Sequence, residues 1–246
     1  MNRPIRIGLI AEGEAELGPS VPYIKPEDGG KAIDRNQEGA LHTLIRRELQ
    51  SIGISDCEFV QRHPLAKESK RRTGYSILQP KYLAQVVISW SPEEVDMILI
   101  TVDSDDELSQ RQSKLQKALE TIRENHFDTN DHPIDDQSVG GIAIRNFETW
   151  LLADYQAVAQ LLALDLEEIE SLEGSDSTKE ILEQATTDST YLANDSSNQR
   201  PLRVRWDLAF KVDLDVVKFR CPVGYGAFIQ DCMQTARATQ ERIESE

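Results

Sequence analysis

The chain has 246 residues, of which 39% are hydrophobic and 28% charged, and its formal net charge is −16. This length is enough for one large α/β domain, or for a core domain with an appendage, without a disulfide or a structural zinc to stabilise it. The three cysteines, Cys57, Cys221 and Cys232, are widely spaced and predict reduced, buried thiols. No run approaches the roughly 18 apolar residues of a membrane span, so we expect a cytoplasmic protein.

The predicted elements alternate between strand and helix along the chain. Short apolar runs rich in β-branched residues predict strands at 5–11, 57–61, 96–102 and 139–144. Apolar residues at helical spacing predict helices at 37–52, 80–90, 106–125 and 147–164. Strands that alternate with helices favour right-handed crossovers, and the predicted fold class is therefore α/β, with a parallel sheet flanked by helices.

Two stretches interrupt this alternation. Residues 17–35 are rich in Pro and Gly and predict a long loop, either a lid or docking loop or a tolerated surface insertion. Residues 173–199 are dominated by Ser, Thr, Asp and Asn around a modest helical stretch at 179–186, which predicts a surface excursion. We therefore predict one domain at 1–164 and a mostly helical carboxyl-terminal extension at 165–246 packed on it.

Acidic residues follow three of the predicted strands. Glu12 comes after the first strand, Asp103 and Asp105 after the third, and Glu148 after the fourth. The carboxyl ends of parallel strands open onto one crevice, where clustered carboxylates repel one another unless a divalent cation neutralises them. Hard oxygen ligands suit Mg²⁺ or Mn²⁺. The predicted metal ligands are these four residues, with Asp106 as an alternate.

Each acidic residue also has a simpler interpretation. Glu148 could instead stabilise the amino terminus of its helix through its negative charge. The same explanation is weaker for Asp103 and Asp105, because one helix cap needs only one acid. Glu14 and Glu16 are expected to be solvated. The nearby Trp150 is expected to lie in the core.

Three segments carry a resemblance to a known family. Glu12-Gly13 and Asp103-Ser104-Asp105 resemble the Toprim signature, the metal site of topoisomerases, bacterial primases and overcoming-lysogenization-defect nucleases. Residues 143–154, with the sequence AIRNFETWLLAD, resemble a stretch of a narrower Toprim-like family without a settled function. Members of that family are often encoded beside an ABC-type ATPase in prokaryotic defence operons. Residues 219–222, followed by Phe228, resemble that family's carboxyl-terminal segment, so the resemblance spans most of the chain.

The resemblance implies a Toprim-like fold and a nuclease that cleaves DNA or RNA with Mg²⁺ or Mn²⁺. The catalytic residues would be Glu12, Asp103 and Asp105. The two aspartates would ligate one of two cations about 4 Å apart, and Glu12 would bind the second cation or act as general base. The chain would be the effector of a two-component anti-phage defence system with an ABC-type ATPase partner. Two other functions stay open: a non-catalytic regulatory subunit of an ATPase complex, and phosphoryl chemistry on a nucleotide.

The charge distribution bears on nucleic-acid binding. A net charge of −16 is unfavourable, because phosphate contacts come from Lys and Arg. Two segments are nevertheless basic: residues 61–90 hold six basic residues against one acid, and residues 199–220 hold six against three. They predict a basic face on an acidic body, although a solvated surface explains either segment alone equally well. The predicted nucleic-acid contacts are Lys67, Lys70, Arg71, Arg72, Arg203 and Arg205.

Overall fold

The fold is built on a four-stranded parallel sheet. The computed structural model describes residues 3–18, 38–60, 77–83, 95–125, 137–197 and 199–246. The strands are β1 (Ile5–Ile10), β2 (Cys57–Val60), β3 (Met97–Asp103) and β4 (Ser138–Ala143). They are hydrogen-bonded in the order β2-β1-β3-β4, and every neighbouring pair is parallel. The predicted parallel α/β architecture is therefore confirmed.

Helices connect the strands and form the carboxyl-terminal part of the chain. They are α1 (Glu14–Leu17), α2 (Ala40–Ser51), α3 (Leu108–Asn125), α4 (Glu148–Leu152), α5 (Tyr155–Leu162), α6 (Thr178–Asp188), α7 (Arg200–Lys211), α8 (Leu214–Arg220) and α9 (Ala227–Ser245). The predicted helices at 37–52 and 106–125 are confirmed as α2 and α3. Of the helix predicted at 80–90, residues 80–83 are described and helical. Within the described ranges, no helix is both long enough and apolar enough to cross a membrane.

The single helix predicted at 147–164 is wrong, because the chain forms two helices there. Asp154 leaves the helical region with φ −94° and ψ 76°, and its carboxylate accepts a hydrogen bond from the Ala157 N–H at 3.1 Å. Asp154 is thus the amino-terminal cap of α5. Its other carboxylate oxygen accepts from the Asp213 N–H at 2.8 Å, next to the start of α8. The two hydrogen bonds of the Asp154 carboxylate therefore connect the start of α5 to the start of α8.

A hydrophobic core lies on each face of the sheet. In β3, Met97 and Leu99 contribute to one core while Ile98 and Ile100 contribute to the other, as expected for alternating side chains. The first core contains α2 and the helices from α4 to α9, and the second contains α3 and residues 77–83. Burial on both faces explains why the strands are nearly continuous apolar runs.

The residues predicted as a carboxyl-terminal extension share the first core with the sheet. Leu182 of α6, Leu208 of α7, Val217 of α8 and Ile229 of α9 are all fully buried in it. The surface excursion predicted at 173–199 is therefore wrong for α6, which packs into the protein. The loop predicted at 17–35 lies outside the described residues, except that α1 ends at Leu17 and Gly18 follows it.

Several residues expected to serve packing do so. Cys57, Cys221 and Cys232 are buried. Trp150 is fully buried, with its ring 5.2 Å from that of Tyr225 and 5.9 Å from that of Phe228. Trp150 is thus a core residue, as predicted.

Helix α9 packs directly on β4 at Gly141, which yields a stability prediction. A Cβ atom at Gly141 would lie 2.6 Å from two ring atoms of Phe228, a side chain only 2% exposed. We expect Gly141→Ala to lower the free energy of unfolding by about 1–3 kcal/mol, measured by urea denaturation. The control is Gly140→Ala, whose Cβ would meet the Leu115 side chain at 3.0 Å and should have a smaller effect. Equal effects would contradict the close approach of α9.

Candidate functional site

Three polar segments leave the sheet at the same edge. Glu12 follows β1, Asp103 ends β3, and Glu148 begins α4 after β4. Because β1 pairs with β3 and β3 with β4, these segments are neighbours. A carboxylate oxygen of Glu12 accepts a hydrogen bond from the Asp103 N–H at 3.2 Å. The structure therefore brings Glu12 and Asp103 together.

Glu16 also belongs to this edge, although it was expected to be solvated. Glu16 is only 7% exposed. Burial raises the pKa of Glu16 to about 7, and the charges of Glu148 and Glu12 contribute to the increase. Helix α1 is covered by Trp206 of α7, whose ring N–H contacts the Glu14 and Ala15 carbonyls at 3.2 and 3.1 Å. The expectation for Glu16 was wrong because α1 packs against α2 and α7, which come later in the chain and are not part of the local pattern. The one local signal was its position four residues after Glu12.

The carboxylates at this edge act on one another electrostatically. Burial is the largest cause that raises the pKa of Asp103 well above its usual value. Four neighbouring carboxylates raise this pKa further, those of Glu16, Glu12, Glu148 and Asp105. Burial also raises the pKa of Glu12, against the opposing effects of the Asp103 N–H and of Arg111. We call Glu12, Glu16, Asp103, Asp105 and Glu148 the carboxylate cluster.

Asp105 lies at the rim of the carboxylate cluster. Its side chain is 61% exposed and accepts a hydrogen bond from a guanidinium nitrogen of Arg111 at 2.6 Å. Arg111 belongs to α3, on the opposite side of the sheet from α4 and α7. Asp105 is therefore held toward α3, but its charge still acts on Glu12 and Asp103.

Glu148 forms a buried ion pair with Arg205. One Glu148 oxygen lies 2.7 Å from both Nε and Nη2 of Arg205, and the two side chains are 9% and 6% exposed. Arg205 also donates to the Pro201 carbonyl at 2.9 Å. This pair connects α4 to α7. The prediction that Arg205 lies on an exposed basic face is wrong, because its guanidinium is buried against Glu148.

The other predicted nucleic-acid contacts are only partly described. Arg203 lies on the surface of α7 with its side chain 47% exposed, and it pairs with Asp195 at 2.6 Å. Lys67, Lys70, Arg71 and Arg72 lie outside the described residues. Of the six predicted nucleic-acid contacts, the described part of the chain therefore places Arg203 alone at the surface.

The donor chemistry of the carboxylate cluster fits a hard divalent cation. Its ligands would all be carboxylate oxygens, which suit Mg²⁺ or Mn²⁺. In the ranges that the structure describes, no three or more His, Cys, Asp or Glu side chains are arranged as the ligands of one ion. Glu12, Asp105 and Glu148 instead each contact a protein donor. Each of these contacts engages one oxygen of the carboxylate, so the other oxygen of each side chain would be the one that binds a cation.

Arg145 lies beside the carboxylate cluster, between β4 and α4, and was missed by sequence reasoning. Its φ is +68°, and its N–H donates to the Ser104 hydroxyl at 2.7 Å. Its carbonyl accepts from the Asp105 N–H at 2.9 Å. Its guanidinium forms ion pairs with Asp106 and Asp176. The sequence signals for this position were an arginine directly after the strand predicted at 139–144 and its place within the segment AIRNFETWLLAD.

Comparison of the chain with protein-family models, with curated proteins and with solved structures gives no match.

Proposed function

We propose that this protein is a Mg²⁺- or Mn²⁺-dependent nuclease that hydrolyses phosphodiester bonds of DNA or RNA at the carboxylate cluster. The observation that carries the proposal is that buried acids meet at one edge of the sheet, where Glu12 accepts a hydrogen bond from the Asp103 N–H at 3.2 Å. Burial, and then the charges of Glu16, Glu12 and Glu148, raise the pKa of Asp103 well above its usual value. A fold that buries several acids side by side loses stability unless a cation compensates their charge. The Toprim resemblance of Glu12-Gly13 and Asp103-Ser104-Asp105 supports the same function.

The residues of the cluster divide into ligands and a proton acceptor. Asp103 and Asp105 are the proposed principal ligands, because they flank one residue at the end of β3. Bound divalent cations would polarise the phosphodiester and favour ionisation of the attacking water. Glu12 has a raised pKa and lies against Asp103, which suits it to accept the proton of that water. Arg205 orients Glu148 through their buried ion pair.

This proposal predicts cation-dependent cleavage by the purified chain. Supercoiled plasmid and a labelled single-stranded RNA are incubated with the protein in Mg²⁺, in Mn²⁺ and in EDTA. We expect nicked plasmid or shortened RNA with Mg²⁺ or Mn²⁺ and intact substrates in EDTA, because the cluster supplies oxygen ligands only. Intact substrates under every condition would contradict nuclease activity of the isolated chain.

A second candidate function is that of a non-catalytic subunit that docks on a partner. It is favoured by three exposed apolar side chains, since Phe210, Phe219 and Val223 are 65%, 85% and 61% exposed. The family resemblance suggests that an ABC-type ATPase is the partner and that the pair acts in anti-phage defence. One variant distinguishes the two functions. Asp103→Asn would inactivate a nuclease, but it would leave a docking subunit fully able to stimulate its partner.

A further inference from the structure

The backbone at Arg145 is strained in a way that marks a special position. A φ of +68° is unfavourable for a residue with a long side chain, because Cβ then crowds the backbone. Such residues persist only where the surrounding structure holds them, and they concentrate at functional sites. Asp105, on the neighbouring strand end, also has a positive φ of +46°.

These two strained residues hold each other in place. The Asp105 N–H donates to the Arg145 carbonyl at 2.9 Å, and the Arg145 N–H donates to the hydroxyl of Ser104 at 2.7 Å. Ser104 is itself 1% exposed, and its N–H continues the sheet pairing to the Ala143 carbonyl at 2.9 Å. The position of Arg145 relative to the carboxylate cluster is therefore fixed by the ends of β3 and β4.

The guanidinium of Arg145 is held less firmly than those of the other arginines at this edge. Its side chain is 26% exposed, whereas those of Arg111 and Arg205 are each 6% exposed. Its partners Asp106 and Asp176 are 89% and 74% exposed. Exposed ion pairs contribute little stability, so another anion can displace these two carboxylates.

We propose that Arg145 binds a non-bridging phosphate oxygen of the nucleic-acid strand at the edge of the carboxylate cluster, and that Asp106 and Asp176 hold its guanidinium when no substrate is bound. The proposal rests on the proposed nuclease function. An acidic cluster repels a phosphodiester, so a cation on the protein beside it lowers the barrier to binding. The planar fork of Arg suits a phosphate, which two parallel N–H donors can contact at once.

The test separates binding from cleavage. A fluorescently labelled oligonucleotide is titrated with protein at several salt concentrations, with Ca²⁺ in place of Mg²⁺, and binding is followed by fluorescence anisotropy. The variants are Arg145→Ala, Arg145→Gly and Asp176→Asn, with Arg123→Ala as a matched control on the exposed face of α3. Glycine tolerates the positive φ, so Arg145→Gly removes the side chain without backbone strain. Thermal unfolding of each variant is measured in parallel.

We expect Arg145→Ala and Arg145→Gly to weaken binding about tenfold and to reduce the slope of log affinity against log salt by roughly 0.7–0.9, the loss of one phosphate contact. Asp176→Asn should tighten binding, because it releases the guanidinium. Arg123→Ala should bind like the wild type.

Two results would overturn the proposal, and they are distinguishable. If the wild type binds and cleaves while both Arg145 variants keep its affinity and salt slope, Arg145 is a structural residue and the nuclease function stands. If the wild type neither binds the oligonucleotide nor cleaves, the nuclease function fails and the role of Arg145 fails with it.

Discussion

Asp103→Asn is expected to abolish cation-dependent cleavage and, at the same time, to stabilise the metal-free protein. The pKa of Asp103 is raised well above its usual value, first by burial and then by four neighbouring carboxylates. Replacing it removes a proposed ligand, and cleavage should fall on the order of 10³-fold or more. The same replacement removes one charge from a crowded site.

The pH dependence of stability follows from the direction of this pKa shift. Asp103 is an acid whose pKa is higher in the folded chain than in the unfolded one. Its contribution to stability is fully present below the unfolded pKa of about 3.9 and is lost as the pH rises through the folded pKa. The amide that replaces the carboxyl group in Asp103→Asn cannot ionise, so the advantage of the variant in EDTA should be largest at neutral pH and should shrink as the pH is lowered.

Urea denaturation at several pH values, in EDTA and in Mg²⁺, measures this behaviour. Mg²⁺ should stabilise the wild type but not Asp103→Asn, because a ligand that binds only the folded state raises its stability. Asp231→Asn on the exposed face of α9 is the matched control and should behave like the wild type. Undiminished cleavage by Asp103→Asn would remove Asp103 from the active site.

The strand ends were predictable from sequence because they depend on local runs and on one rule of topology. Apolar runs located β1 and β3, and parallel pairing then required Glu12 and Asp103 to meet at one edge. Their hydrogen bond at 3.2 Å agrees with that inference. The break at Asp154 was not predictable in this way, because the apolar pattern continues across it and the capping bonds to Ala157 and Asp213 include a distant partner.

The other members of the site depend on tertiary contacts that a local pattern does not contain. Glu16 is buried on α1, a helix that packs against α2 and against Trp206 of α7, nearly two hundred residues later in the chain. Arg205 belongs to a basic segment and therefore resembled a surface contact, yet the fold turns its guanidinium onto Glu148. Charge counting along the chain does not distinguish an arginine that binds a ligand from one that neutralises a buried acid.

Two arginine variants of α7 distinguish these two roles by their free energies of unfolding. Arg205→Met is expected to lower the free energy of unfolding by about 3–5 kcal/mol, because it leaves the Glu148 carboxylate buried without its cation. Arg203→Met removes an ion pair of similar length, 2.6 Å to Asp195, but from a side chain that is 47% exposed. Arg203→Met should lower the free energy of unfolding by no more than about 1 kcal/mol.

A double variant separates the loss of charge pairing from the loss of packing. If the unpaired charge of Glu148 causes the destabilisation, Glu148→Gln combined with Arg205→Met should recover part of the stability lost in Arg205→Met, because glutamine carries no charge to bury. Urea denaturation of Arg205→Met, of Glu148→Gln and of the double variant, compared with the wild type, gives the complete double-mutant cycle. Equal losses in Arg203→Met and Arg205→Met would mean that burial of the Glu148–Arg205 pair is not what stabilises the contact between α4 and α7. A large loss confined to Arg205→Met, with partial recovery in the double variant, would show that the buried ion pair with Arg205 compensates the charge of Glu148 and orients its side chain at this edge of the sheet.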